Sequence, residues 1–165
     1  MRGRPSMRKI IWLIGICIFL AACASNKFIP PQPRKIQNAF PCDKPFDAVW
    51  QATIEAVAEL NLPIGNLEKE SGLITIDWIN FPAQNPKDGY CDCGQLLPVR
   101  QDEEKRQKDY STWDVRGHFN IFVKRLATGR CEIKINSVFE TGQRTCVSTG
   151  RLEAGINRLI QKKLG

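Results

Sequence analysis

The chain has 165 residues and carries 24 Lys and Arg against 17 Asp and Glu, a formal charge of +7, with 42% apolar residues. That length suits one domain and excludes a large two-lobed enzyme, while the apolar fraction excludes global disorder. The single histidine removes most chemistry that depends on imidazole.

The basic charge is concentrated at the start. Residues 1–9 hold Arg2, Arg4, Arg8 and Lys9 with no acid, Ile10–Leu20 run apolar, and Ala21 and Ala22 precede Cys23. A positive n-region, a short h-region and a small-residue cleavage zone form the layout of a secretory signal, too short for a spanning helix. Met7, just before Arg8 and Lys9, offers a second start. Leu20-Ala21-Ala22-Cys23 resembles the lipobox of bacterial lipoproteins, which implies cleavage between Ala22 and Cys23 and lipidation of Cys23. In that family's sorting rule an Asp after the Cys retains a lipoprotein in the inner membrane. Ala24 and Ser25 stand here, which implies the outer membrane, facing the periplasm. More than one acyl chain makes such an anchor durable. Without residues 1–22 the charge falls to +3 over 143 residues, too little to argue for nucleic acid as a partner.

Residues 23–41 form a Pro-rich stretch with Pro30, Pro31, Pro33 and Pro41. Such a segment spaces a domain from the bilayer. Alternatively it docks along a partner or its own domain, with Phe28, Ile29 and Phe40 as anchors. The domain proper is expected over 42–165. Asp43 can cap a helix in which Phe46, Val49, Trp50, Thr53, Ile54, Val57 and Leu60 recur at helical spacing, stopped by Asn61 and Pro63. Ile64–Glu68 and Leu73–Ile79 predict a hairpin around Gly72, with Ile74, Ile76 and Trp78 on one face. Residues 80–110 show no period, and a loop that long in a small domain is functional or mobile. Trp113 to Lys124 and Cys131 to Glu140 alternate as strands about an Ala127-Thr128-Gly129 turn, and Leu152, Ile156, Leu159, Ile160 and Leu164 give a closing amphipathic helix. The expected architecture is α+β in the order α-β-β-β-β-α, with helices on one face of an antiparallel sheet.

Three phrases, Pro45-Phe46-Asp47-Ala48-Val49-Trp50, Glu70-Ser71-Gly72-Leu73-Ile74-Thr75 and Cys146-Val147-Ser148-Thr149-Gly150-Arg151-Leu152-Glu153, together with the lipobox, resemble the helix-grip domains of BamC-type outer-membrane lipoproteins. The resemblance covers about residues 42–164, enough for one such domain where BamC has two. It implies a subunit or accessory of outer-membrane protein assembly, working through other envelope proteins and carrying out no reaction.

Five cysteines remain after cleavage and lipidation: Cys42, Cys91, Cys93, Cys131 and Cys146. In an oxidising compartment these read first as disulfides, and an odd count leaves one thiol over. Cys93 with Cys146 is the expected bridge, Cys42 with Cys91 a second candidate, and Cys131 a buried thiol on the apolar side of its strand. A four-thiolate zinc site from Cys91, Cys93, Cys131 and Cys146 lacks the paired CxxC knuckles of such sites, so no metal and no cofactor are expected. His118 has no G-x-S-x-G serine to serve, no spacing ties Glu153, Asp77 and Asp114 together, and phosphate-binding loops are missing, so the chain does not read as an enzyme. The alternative is an apolar cavity between helix and sheet, lined by Trp50, Trp78 and Trp113, that binds a lipid or similar ligand.

Overall fold

The computed structural model describes residues 27–81, 89–97, 114–127, 129–142 and 144–165. Cys23, Ala22, Trp113 and much of the 80–110 stretch lie outside the described residues. In chain order the elements are β1 (Lys27–Ile29), β2 (Ala39–Cys42), α1 (Phe46–Glu59), β3 (Ile64–Glu68), β4 (Leu73–Phe81), β5 (Cys91–Asp92), β6 (Gln95–Leu97), β7 (Val115–Arg125), β8 (Cys131–Thr141), β9 (Arg144–Ser148) and α2 (Arg151–Leu164). Among the described residues the fold is α+β, with a seven-stranded antiparallel sheet and two helices. Its strand order is β3-β4-β7-β8-β9-β5, with β2 also paired to β8, while β1 and β6 form a separate ribbon. The order is therefore richer than α-β-β-β-β-α. Short strands stand before α1 and within the 80–110 stretch, and β9 precedes α2.

The alternating residues of β7 and β8 bury Phe119, Ile121, Val123, Ile133 and Ile135 against Ile74 and Ile76 of β4. Val49, Trp50, Ala56 and Val57 of α1 and Ile156 and Ile160 of α2 close the same core. Several of these side chains are wholly withdrawn from water, each stabilising by about 1.5–3 kcal/mol in transfer terms. Phe40 on β2 joins this core, so the end of the Pro-rich stretch is part of the domain's packing.

Two local expectations are corrected. Asp43 does not cap α1: Pro45 occupies the N-cap without a side-chain hydrogen bond, and Asp43 pairs with Arg130 at 2.8 Å. Trp78 does not share the face of Ile74 and Ile76. The β4–β7 register shifts between Ile76 and Ile79, a bulge that turns Ile79 and Phe81 inward and Trp78 outward. Gly72 shows why a glycine closes the β3–β4 turn. Its φ is +72°, and a Cβ there would lie 2.1 Å from the Val123 carbonyl oxygen. That approach lets the Val123 N–H donate to the Gly72 carbonyl at 2.8 Å. No helix among the described residues is long and apolar enough to cross a membrane.

Candidate functional site

The bulge in β4 builds a surface on the sheet face opposite the helices. Trp78 is 43% exposed, and its ring centroid stands 4.5 Å from that of His118 at a tilt of 59°. The Arg116 guanidinium sits 4.9 Å from the Trp78 ring centre and pairs with Glu140. Val138, the cross-strand partner of His118, is also 43% exposed. An exposed tryptophan braced by an arginine and an imidazole has the composition of an interaction hot spot. Its side chains are already ordered by one another, so covering this surface would cost less side-chain entropy. The alternation of β7 places Arg116 and His118 on one face and was legible. The bulge that brings Trp78 to them left no sequence signal.

Of the tryptophans expected to line a cavity, Trp50 and Trp78 lie on different faces of the sheet. Trp50 is buried on the helix side beside Phe46, with ring centroids 6.0 Å apart, whereas Trp78 is on the outer face.

The cysteines separate into two groups. Cys93 and Cys146 are joined by a disulfide. Cys42 and Cys91 are not: Cys42 stands directly across from Cys131 on β2 and β8, and both are free thiols, as is Cys91. Cys131 lies eight residues along β8 from Phe139, the partner of Cys146, about 27 Å at strand rise, so no four-cysteine site forms. Cys91 lies instead beside the bridge, its Sγ 3.8 Å from that of Cys93, in a small apolar cluster with Phe81, Val115 and Phe139. Burial, reinforced by the charge of Asp92, pushes the Cys91 thiol up to about 12. A thiol so raised holds its proton in the folded chain at pH values where the unfolded chain, near 9.0, has lost it. Its stabilising contribution is present below about pH 9 and declines as pH rises toward 12. Urea unfolding of the oxidised protein between pH 8 and 11 is expected to show this alkaline loss, and Cys91→Ala to diminish it. An unchanged slope in the variant would contradict the assignment.

The Cys146–Glu153 phrase acts as a clasp. Thr149 donates its hydroxyl to the Gly89 carbonyl at 2.8 Å and its N–H to the Tyr90 carbonyl at 2.9 Å, holding the 89–97 segment beside β9. The Gly150 N–H donates to Ser148 Oγ at 3.0 Å. Gly150 has a φ of +84°, and a Cβ there would lie 3.2 Å from Ile36. Glu153, fully buried in the first turn of α2, accepts hydrogen bonds from the hydroxyls of Ser137 and Ser148. Asp77 and Asp114 are exposed and Glu153 is buried, so the three carboxylates form no set. Sequence reading missed the role of Glu153, although an acid in the first turn after Ser-Thr-Gly is a helix-start signal.

No protein-family model matches the chain, and no curated protein matches it.

Proposed function

We propose that this chain is a lipoprotein of the bacterial outer membrane, anchored through Cys23 and facing the periplasm, that acts as a protein-interaction or accessory subunit. The single observation that carries the reading is Leu20-Ala21-Ala22-Cys23 directly after a basic segment and an eleven-residue apolar run. The resemblance of three phrases to BamC-type helix-grip domains suggests outer-membrane protein assembly as the setting. The Trp78–His118–Arg116 face is the surface we assign to the partner. An ordered aromatic platform on the outer sheet face supports binding rather than catalysis.

The anchor is tested on the protein extracted from whole envelopes. Mass spectrometry is expected to find a mature N-terminus at Cys23 carrying a diacylglycerol and an N-acyl chain. An unmodified Cys23, or a mature chain beginning elsewhere, would overturn the anchor and the localisation with it.

A further inference from the structure

We propose that Cys91, Cys93 and Cys146 constitute a redox-gated metal site, which holds a thiophilic divalent cation of the Zn2+ type when the Cys93–Cys146 bond is reduced. The inference is independent of the interaction reading above.

Its basis is the convergence of three sulfurs from two segments. Cys91 and Cys93 are two residues apart in the 89–97 segment, and Cys146 comes from β9, which pairs with β5 through Cys91 opposite Ser148. The three Sγ atoms all lie within 4.8 Å of one another, and all three residues are buried. The disulfide accounts for two of them. It does not account for Cys91, a free thiol buried beside it.

Thiol–disulfide exchange is the first role to weigh for a thiol beside a bridge, and the geometry opposes it. An attack along the Cys93–Cys146 bond would put the Cys91 sulfur about 6 Å from that of Cys146. The two lie within 4.8 Å, so Cys91 stands to the side of the bond. A sideways third sulfur is what a metal requires. At a zinc–sulfur distance of about 2.3 Å, the sulfurs of a tetrahedral site are about 3.8 Å apart. Cys91 and Cys93 already hold that spacing, at 3.8 Å. Opening the bridge lets the Cys146 sulfur withdraw from bonding distance to a similar separation.

Asp92, between the two cysteines, is committed elsewhere. Its Oδ1 accepts the Gly94 N–H at 2.9 Å and its Oδ2 meets Arg34 at 3.2 Å. The site therefore offers three thiolates, with the fourth position left to water or a partner's ligand.

The chemistry balances with one named co-reactant. A protein dithiol takes over the Cys93–Cys146 bond as its own disulfide and leaves two thiols on this chain. Binding of the dication to Cys91, Cys93 and Cys146 then releases three protons and gives a tris-thiolate of net charge −1.

The test uses the full mature chain in detergent, reduced with a phosphine under nitrogen and titrated with Zn2+. The reduced protein is expected to bind one ion and the oxidised protein none. Alkylation of Cys91, Cys93 and Cys146 should slow at least tenfold while that of Cys42 and Cys131 stays unchanged. Cys91→Ser should weaken binding at least tenfold, with the oxidised variant keeping the wild-type circular dichroism. Protection spread equally over all five cysteines, or a Cys91→Ser variant that binds as tightly as wild type, would overturn the site. So would a reduced chain that unfolds and does not regain its native spectrum when Zn2+ is added. Should Cys91→Ser itself misfold, the protection pattern in the unmutated protein decides alone.

Discussion

Replacing Cys146 by alanine is expected to lower the unfolding free energy by about 4 kcal/mol. The bond it removes spans 53 residues, and closing a loop of that length in the unfolded chain accounts for about that amount in the chain-entropy description. The remaining ties between the two segments are the Thr149 hydrogen bonds to Gly89 and Tyr90 and a short strand pairing. The strand β5 is only two residues long and holds β9 through Cys91–Ser148 and Asp92–Val147. Cys146 is the position to change, because Cys93→Ala would leave Cys91 within reach of Cys146, while a Cys91–Cys93 bridge across one residue seldom forms. Urea unfolding of wild type and variant under non-reducing conditions measures the difference. A loss below about 1 kcal/mol would show that the bridge adds little to stability.

Glu153→Ala is expected to cost about 3 kcal/mol. A carboxylate with no exposed surface is tolerated because two hydroxyls, from Ser137 on β8 and Ser148 at the end of β9, donate to it, and because it sits at the positive end of α2. Removing the acceptor leaves those hydroxyls with unmet donors in a largely dry site, and hydrogen bonds to a charged group contribute about 1.5–3 kcal/mol. Glu153→Gln keeps one carbonyl acceptor and is expected to lose about half as much. Equilibrium unfolding of the three proteins checks the order. Equal stability of wild type and Glu153→Ala would remove the clasp from the account.

The periodic parts of the sequence reported the fold faithfully, because alternation in β7 and β8 and helical spacing in α1 and α2 are direct consequences of burying one face. What escaped were features made by tertiary contact. The bulge that turns Trp78 outward depends on the β4–β7 register, and Trp78 fits the alternation of Ile74 and Ile76 perfectly well in the sequence. The Cys42–Cys131 juxtaposition depends on β2 reaching β8, and β2, four residues long with Pro41 inside it, is too short for periodicity to reveal. The three phrases that carry the resemblance turn out to be structural: Phe46, Val49 and Trp50 fill the core, Gly72 permits a close backbone approach, and Cys146 to Glu153 form the clasp. They speak for a fold. On the proposed function a partner would meet the outer face, where the alternation of β7 marks Arg116 and His118 and nothing in the sequence marks Trp78 as their neighbour.

The most direct test of an anchored interaction subunit is affinity capture of the intact lipidated protein from detergent-solubilised envelopes, with Trp78→Ala in parallel. Wild type is expected to retain envelope proteins, outer-membrane assembly subunits among them. The variant, expected to keep the native fold because Trp78 lies outside the core, is expected to lose at least tenfold of that capture, the effect of truncating a hot-spot tryptophan. Capture of no envelope protein by the lipidated wild type, or equal capture by Trp78→Ala, would contradict the account.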